Sequence, residues 1–177
     1  MQRDDITPGQ DMWSADTHPV LVVCTGGTFD KIYDPIKENL VVGARPASQR
    51  ILRNAKVPGV ALVAVTHKDS LDLTKKEIDK ICATIERAAE SRIVVVHGTS
   101  RLTETAQSIP NRLAKTIVFT GAMVPASIDS SEASFNLGFA LGAARTLSAG
   151  VWIAMNGQIF RPGHVVKNNQ AGLFERL

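Results

Sequence analysis

Short apolar runs alternate with amphipathic segments along most of the chain. Each run is continuous in its apolar character and rich in valine and isoleucine, which is typical of strands buried on both faces. Five such runs predict strands, at Val20 to Gly26, Val60 to Thr66, Arg92 to Gly98, Thr116 to Gly121 and Val151 to Met155. Helical patterns separate them, at Ser48 to Ala55, Thr74 to Glu90, Leu102 to Ala114 and Ser131 to Leu147.

The helical segments differ in the strength of their signals. The segment from Thr74 begins with the spacing of a capping box, since Glu77 follows the threonine by three residues. Pro110 interrupts the segment from Leu102. The segment Ser131 to Leu147 is apolar nearly all round, so it is expected to pack either against its own sheet or against another subunit.

Strands that alternate with helices predict βαβ units with right-handed crossovers. The fold class is therefore α/β, an open and mainly parallel five-stranded sheet with helices on both faces. We expect the flavodoxin-like strand order 2-1-3-4-5, which puts a switch point between the first and third strands. Ligands of such sheets bind beyond the carboxyl ends of the strands at that point.

Length and composition limit the class of protein. The 177 residues fit one α/β domain, predicted over residues 20–177, after a polar and flexible extension over residues 1–19. The net charge is only +3 with scattered basic residues, so no nucleic-acid partner is expected. No apolar run is long enough for a membrane span, and the polar start is no secretory signal. Cys24 and Cys82 lie in apolar patterns and read as free thiols of a reducing compartment, which predicts a cytoplasmic protein.

Hydroxyl groups follow the strands at the predicted switch point. The first strand ends in Thr25-Gly26-Gly27-Thr28, the third in His97-Gly98-Thr99-Ser100 and the fourth in Thr120-Gly121-Ala122. Since the first and third strands are expected to be neighbours, Thr28 and Thr99 should face one crevice.

Each of these features also has an ordinary structural interpretation. The glycine pair is equally typical of a tight turn, Thr99 or Ser100 could be a helix N-cap, and His97 is expected to be a hydrogen-bonded structural residue rather than a base. The sequence contains no GxxxxGK[ST], GxGxxG or GxSxG motif, and its histidines and cysteines lack metal-ligand spacing. Hydroxyls and a lysine from elsewhere are the remaining candidates.

Four co-ordered motifs resemble the bacterial-type L-asparaginase family. They are Thr25-Gly26-Gly27-Thr28, His97-Gly98-Thr99, Thr120-Gly121-Ala122-Met123 and Met155-Asn156-Gly157. The similarity runs from about Val20 to the C-terminus and covers only the N-terminal domain of two-domain enzymes, as in short single-domain forms. It implies hydrolysis of L-asparagine, with L-glutamine as a side activity, without cofactor or metal. The apolar segment Ser131 to Leu147 and the missing second domain both leave surface to cover, so we expect a homodimer or homotetramer.

The resemblance also implies catalytic roles. Thr28 corresponds to the primary nucleophile and Thr99 to the second catalytic threonine, while Lys167 corresponds to the lysine that supports Thr99. Tyr33 corresponds to the tyrosine of a mobile loop.

Substrate-binding roles follow in the same way. Ser70 corresponds to the serine that holds the α-carboxylate, and Ala122 to the residue whose carbonyl meets the side-chain amide. Gly98 and Gly27 belong to the same substrate-binding set, and the N–H groups of Gly27 and Thr99 are expected to stabilise the oxyanion.

One position departs from the family pattern. The family has an aspartate after the threonine of His-Gly-Thr, where this chain has Ser100, followed by Arg101. The aspartate is the group expected to bind the α-ammonium of the substrate, so its loss leaves two alternatives open. One is an amidase of altered preference, with Arg101 favouring an extra acid group, and the other is a non-catalytic amino-acid-binding or assembly domain. Retention of Thr28, Thr99 and Lys167 argues against the second.

Overall fold

The computed structural model describes residues 19–110 and 112–177, so residues 1–18 of the predicted extension lie outside the described residues. The strands are β1 (Val20–Gly26), β2 (Lys31–Asp34), β3 (Asn39–Val42), β4 (Val60–Lys68), β5 (Arg92–Val96), β6 (Thr116–Thr120), β7 (Gly150–Met155), β8 (Gln158–Phe160), β9 (Val165–Asn168) and β10 (Leu173–Arg176). The helices are α1 (Ala47–Asn54), α2 (Lys75–Arg87), α3 (Leu102–Gln107) and α4 (Ala133–Thr146).

The central sheet has six strands in the order β4-β1-β5-β6-β7-β8. The first five of these are parallel, and they are the five predicted strands, confirmed to within two residues at each end. The prediction of five strands was one short, because β8 pairs antiparallel with β7. Asn156 (φ 53°) and Gly157 (φ 71°) form the turn between them. A two-residue Asn-Gly turn with positive φ at both positions is a strong hairpin signal.

Both faces of the sheet are covered, as continuous apolar strands require. Successive residues of β1 alternate between two cores, with Leu21 and Val23 in one and Val22 and Cys24 in the other. Helices α2 and α3 pack on the first face, and α1 and α4 on the second.

Two predicted helices end earlier than expected, α2 three residues before Glu90 and α3 seven residues before Ala114. Helix α2 begins at Lys75 and ends at Arg87, and the Glu77 carboxylate accepts hydrogen bonds from the N–H and the hydroxyl of Thr74. Helix α3 ends at Gln107, well before the predicted end, because Pro110 disfavours helical geometry in the residue before it.

Two antiparallel hairpins outside the central sheet were not predicted. In β2–β3, the Asp34 carboxylate accepts from the N–H groups of Ile36 and Lys37 and forms the turn. In β9–β10, fully buried Phe174 anchors the hairpin to the core under β7. Among the described residues, no helix is long and apolar enough to cross a bilayer.

Candidate active site

The turns after β1 and β5 touch each other through two glycines. A Cβ at Gly27 (φ 74°) would lie 2.4 Å from the Cα of Gly98, so no other residue fits at Gly27 without displacing backbone. Thr28 and Thr99 each follow one of these glycines directly. The fold therefore brings both threonines to the same edge of the sheet, where β1 and β5 are neighbours.

The turns after β4 and β6 complete this edge. A Cβ at Gly98 would lie 2.6 Å from the Ser70 hydroxyl oxygen, so Ser70 packs directly on Gly98. Ser70 is 1% exposed, and its hydroxyl has no hydrogen-bond partner within the described part of the chain. A Cβ at Gly121 would lie 3.3 Å from the Thr99 methyl group, and Ala122 is buried just beyond it.

Lys167, which lies near the C-terminal end of the sequence, contacts Thr99. Its Nζ donates a hydrogen bond of 3.0 Å to Thr99 Oγ1 across 68 residues of chain. Lys167 lies on β9, whose hairpin is held by the buried side chains of Val165 and Phe174. Phe174 N–H also donates to the side-chain oxygen of Asn156 at 3.0 Å. The pair that the family resemblance implies is therefore formed by long-range packing.

His97 is a structural residue, as the sequence interpretation favoured. It is fully buried, its Nδ1 lies 2.8 Å from the carbonyl oxygen of Gly98, and its ring packs against Phe119 at 6.1 Å between centroids. Burial lowers the pKa of His97 to about 4. A histidine with so low a pKa is neutral near pH 7 and orients the Gly98 backbone.

Ser100 is not a helix cap. The N-cap of α3 is Arg101, and the helix itself begins at Leu102, so neither Thr99 nor Ser100 caps it. Ser100 is exposed and carries no charge.

Arg101 is already engaged by protein groups, which bears on the expectation that it favours an extra acid group of the substrate. Its side chain is only 25% exposed. It donates to Glu104 through Nε at 2.8 Å and through Nη2 at 2.6 Å, and through Nη1 to the Leu73 carbonyl at 2.7 Å. The Arg101 guanidinium holds the pKa of Glu104 below its ordinary value. The two charges neutralise each other, so Arg101 is not available to attract an extra acid group.

Two further expectations are not met. The Gly27 N–H donates to the Lys68 carbonyl at 2.8 Å and so is not free for an oxyanion. Tyr33 lies on strand β2 rather than on a loop, is 62% exposed, and has no side-chain hydrogen bond to any described residue. No hydrogen bond connects its side chain to the Thr99–Lys167 pair, so its role in the site stays a prediction.

A cavity of about 600 Å³ opens beside the Thr99–Lys167 pair. Thr99, Ser100, Lys167, Glu104 and Leu71 are among the residues that line it. A volume of this size accommodates a small polar substrate. In the described part of the chain, no group of three or more histidine, cysteine or acidic side chains is placed to hold a metal ion.

Sequence reasoning missed Asn136, which organises the strand ends from α4. Its buried amide donates from Nδ2 to the Gly121 carbonyl at 3.0 Å, and its Oδ1 accepts from Asn156 N–H at 3.1 Å. An asparagine in an otherwise apolar stretch was the available signal, because a buried amide needs hydrogen-bond partners.

Comparison with known proteins assigns the domain type. The family model described as "Asparaginase, N-terminal" matches residues 19–174. No curated protein is similar enough in sequence to count as a relative of the chain.

Solved structures share the fold. The thermostable L-asparaginase from Thermococcus kodakarensis is 24% identical, with a TM-score of 0.77 over 90% of this chain and 51% of its own. A probable cytoplasmic L-asparaginase from Campylobacter jejuni is 20% identical, with a TM-score of 0.76 over 90% of this chain and 53% of its own. L-asparaginase I from Vibrio cholerae is 19% identical, with a TM-score of 0.74 over 90% of this chain and 51% of its own. The chain spans about half the length of these proteins.

Proposed function

Because this chain belongs to the asparaginase family through an N-terminal-type domain, we propose that it is an amidohydrolase that converts L-asparagine to L-aspartate and ammonia. The observation that carries the proposal is the 3.0 Å hydrogen bond from Lys167 to Thr99, next to the contact between the Gly27 and Gly98 turns. A site for binding alone needs no hydroxyl activated by a lysine.

The proposed reaction proceeds through an acyl-threonine. The Thr28 hydroxyl oxygen attacks the side-chain amide carbon and gives up its proton, and the resulting tetrahedral intermediate expels ammonia. Water then attacks the ester carbon, releases aspartate and restores the hydroxyl. A threonine hydroxyl is a weak nucleophile, so it needs a proton acceptor, and the Thr99–Lys167 pair is the group we assign to that task.

The remaining groups are proposed to bind and orient the substrate. Ser70 has an unpartnered hydroxyl and is assigned to the α-carboxylate. The carbonyl of Ala122 is assigned to the side-chain amide. Since the Gly27 N–H is engaged by Lys68, we assign the oxyanion to the Thr99 N–H. Tyr33 remains a proposal for a residue that approaches when substrate is bound.

Location and assembly are part of the proposal. Cys24 and Cys82 are free thiols, one of them buried, which suits a reducing cytoplasm. We propose a homodimer or homotetramer, with L-glutamine as a second substrate.

Thr28→Val tests the nucleophile, since valine keeps the shape and removes the hydroxyl. Ammonia release from asparagine should fall to background while circular dichroism shows an intact fold. Thr146→Val is the matched control, because Thr146 is exposed at the end of α4 and bonds only to carbonyls of its own helix. Equal rates in both variants would show that Thr28 is not the nucleophile.

A second candidate is an amidase for substrates that lack an α-ammonium group. The uncharged Ser100 at the cavity, together with the neutralised Glu104, favours it. A panel of simple amides assayed beside asparagine separates the two functions. If the folded chain releases ammonia from none of them, it is the non-catalytic domain.

A further inference from the structure

A second cavity, of about 400 Å³, lies between α1 and β2 behind the turn that carries Thr28. Asp30, which ends that turn, lines it together with Lys31, Arg45, Arg50 and Arg53. The Thr99–Lys167 pair does not line this cavity.

Positive charge dominates the lining. Arg45, Arg50 and Arg53 are exposed, and no carboxylate in the described ranges forms an ion pair with any of them. Lys31, by contrast, is paired with Asp69 at 2.8 Å. The Arg50 guanidinium donates to the Ala126 carbonyl at 2.7 Å, which fixes its position. The three unpaired arginines and the one acid of the lining, Asp30, together carry a formal charge of +2. The net charge of the whole chain is only +3, so positive charge is concentrated at this cavity.

Asp30 ties this cavity to the neighbouring elements. Its Oδ1 accepts from the Ala47 N–H at the start of α1 at 2.7 Å, and its carbonyl accepts from the Gly43 N–H at 2.9 Å. Asp30 is 2% exposed, and Oδ2 has no hydrogen-bond partner among the described residues. Burial raises the pKa of Asp30 to about 6. One oxygen of this acid is therefore occupied by backbone, and the carboxyl is almost inaccessible, so it offers little attraction to a cation in the cavity.

We propose that this cavity binds a small multivalent oxyanion through Arg45, Arg50 and Arg53. Guanidinium groups bind phosphate and carboxylate oxygens in paired, charge-assisted hydrogen bonds. Here three of them line one concave surface, and none forms an ion pair with a described carboxylate. Phosphate-bearing and polycarboxylate compounds share this chemistry. The proposal does not depend on the amidohydrolase function.

Calorimetric titration of the intact chain with inorganic phosphate, pyrophosphate and citrate tests it, at constant low ionic strength set with chloride. We expect saturable binding that weakens as salt rises, because exposed charges are screened. The double variant Arg45→Gln, Arg53→Gln should bind these anions at least roughly tenfold more weakly, because two charge-assisted contacts are lost. Arg87→Gln is the matched control, because Arg87 is exposed in the last turn of α2 as Arg53 is in the last turn of α1.

The outcomes separate the site from a general charge effect. Loss of affinity in the double variant with none in Arg87→Gln supports the cavity, and preference for pyrophosphate over citrate would then identify a phosphate-bearing ligand. Equal losses in both variants, full affinity in the double variant, or no saturable binding of the three anions would overturn the proposal.

Discussion

At the scale of single residues, the environment of Ser100 decides what the proposed site can hold. Ser100 lines the same cavity as Thr99 and Lys167 but contributes no charge. The nearby acid, Glu104, already shares two hydrogen bonds with Arg101. An ammonium group in this cavity therefore meets hydrogen-bond acceptors without a free negative charge, and a charge-assisted bond is roughly twice as strong as a neutral one.

Restoring the charge should improve asparagine hydrolysis. The variant Ser100→Asp is expected to raise kcat/KM for asparagine by roughly ten- to hundred-fold, which is about 1–3 kcal/mol in transition-state binding. Its kcat/KM for amides without an α-amino group should be lower than that of the parent chain. Steady-state kinetics on both substrate classes measure this, with Ser148→Asp, at an exposed position after the end of α4, as the charge control. Identical asparagine kinetics in Ser100→Asp and the parent chain would mean that the α-ammonium is held elsewhere.

At the scale of elements, α4 holds the site edge in place through one polar side chain. Asn136 is fully buried, and its amide joins the end of β6, at Gly121, to the β7–β8 turn, at Asn156. Its neighbours on the same face, including Leu137 and Ala140, pack on the sheet. The helix thus supplies both apolar burial and the hydrogen bonds that position two strand ends.

Removal of this amide should destabilise the fold. Asn136→Ala leaves the Gly121 carbonyl and the Asn156 N–H buried or half-buried without a partner, which costs on the order of 2–4 kcal/mol of unfolding free energy. Urea denaturation followed by circular dichroism measures the loss. Ser134→Ala, two residues away and exposed, should change the midpoint little. Equal midpoints for the two variants would rule out the bridging role of Asn136.

At the scale of the whole molecule, apolar surface remains uncovered. On α4, Phe135 is 60% exposed and stacks on Phe139 with 6.2 Å between ring centroids, and a Cβ at Gly138 or Gly142 would meet nothing within 4 Å. The inner face of this helix packs on its own sheet, as one of the two sequence alternatives held. The outer face of the helix is free for the second alternative, which is a contact with another subunit. Contiguous exposed apolar groups of this kind commonly mark contacts between proteins.

We expect the chain to sediment as a homodimer or larger assembly at micromolar concentration. Phe135→Asp should shift the sedimentation coefficient towards the monomer, because a charge in a buried apolar contact is costly. Ile36→Asp is the control, since Ile36 is 93% exposed at the tip of the β2–β3 hairpin. A monomeric parent chain, or equal dissociation in both variants, would count against an interface on α4.

Local sequence pattern alone determined the parallel sheet, its two covered faces and the threonines at its edge. Runs such as Val20 to Gly26 are apolar at every position, and a strand tolerates that only when both of its faces are buried. Capping of α2 by Glu77 was equally local, since donor and acceptor lie three residues apart. The turn at Asn156-Gly157 is local too, because an Asn-Gly pair adopts positive φ at both positions readily and favours a two-residue hairpin.

Tertiary structure alone decided which groups meet. Lys167 reaches Thr99 across 68 residues, and no local propensity encodes a contact between residues so far apart in the chain. The engagement of the Gly27 N–H by Lys68 and of Arg101 by Glu104 and Leu73 likewise depends on how turns pack against one another. The sequence identifies the side chains that are chemically able to react or bind. Hydrogen bonds are directional and short-ranged, however, so which donors remain free for a substrate depends on how the strand ends pack.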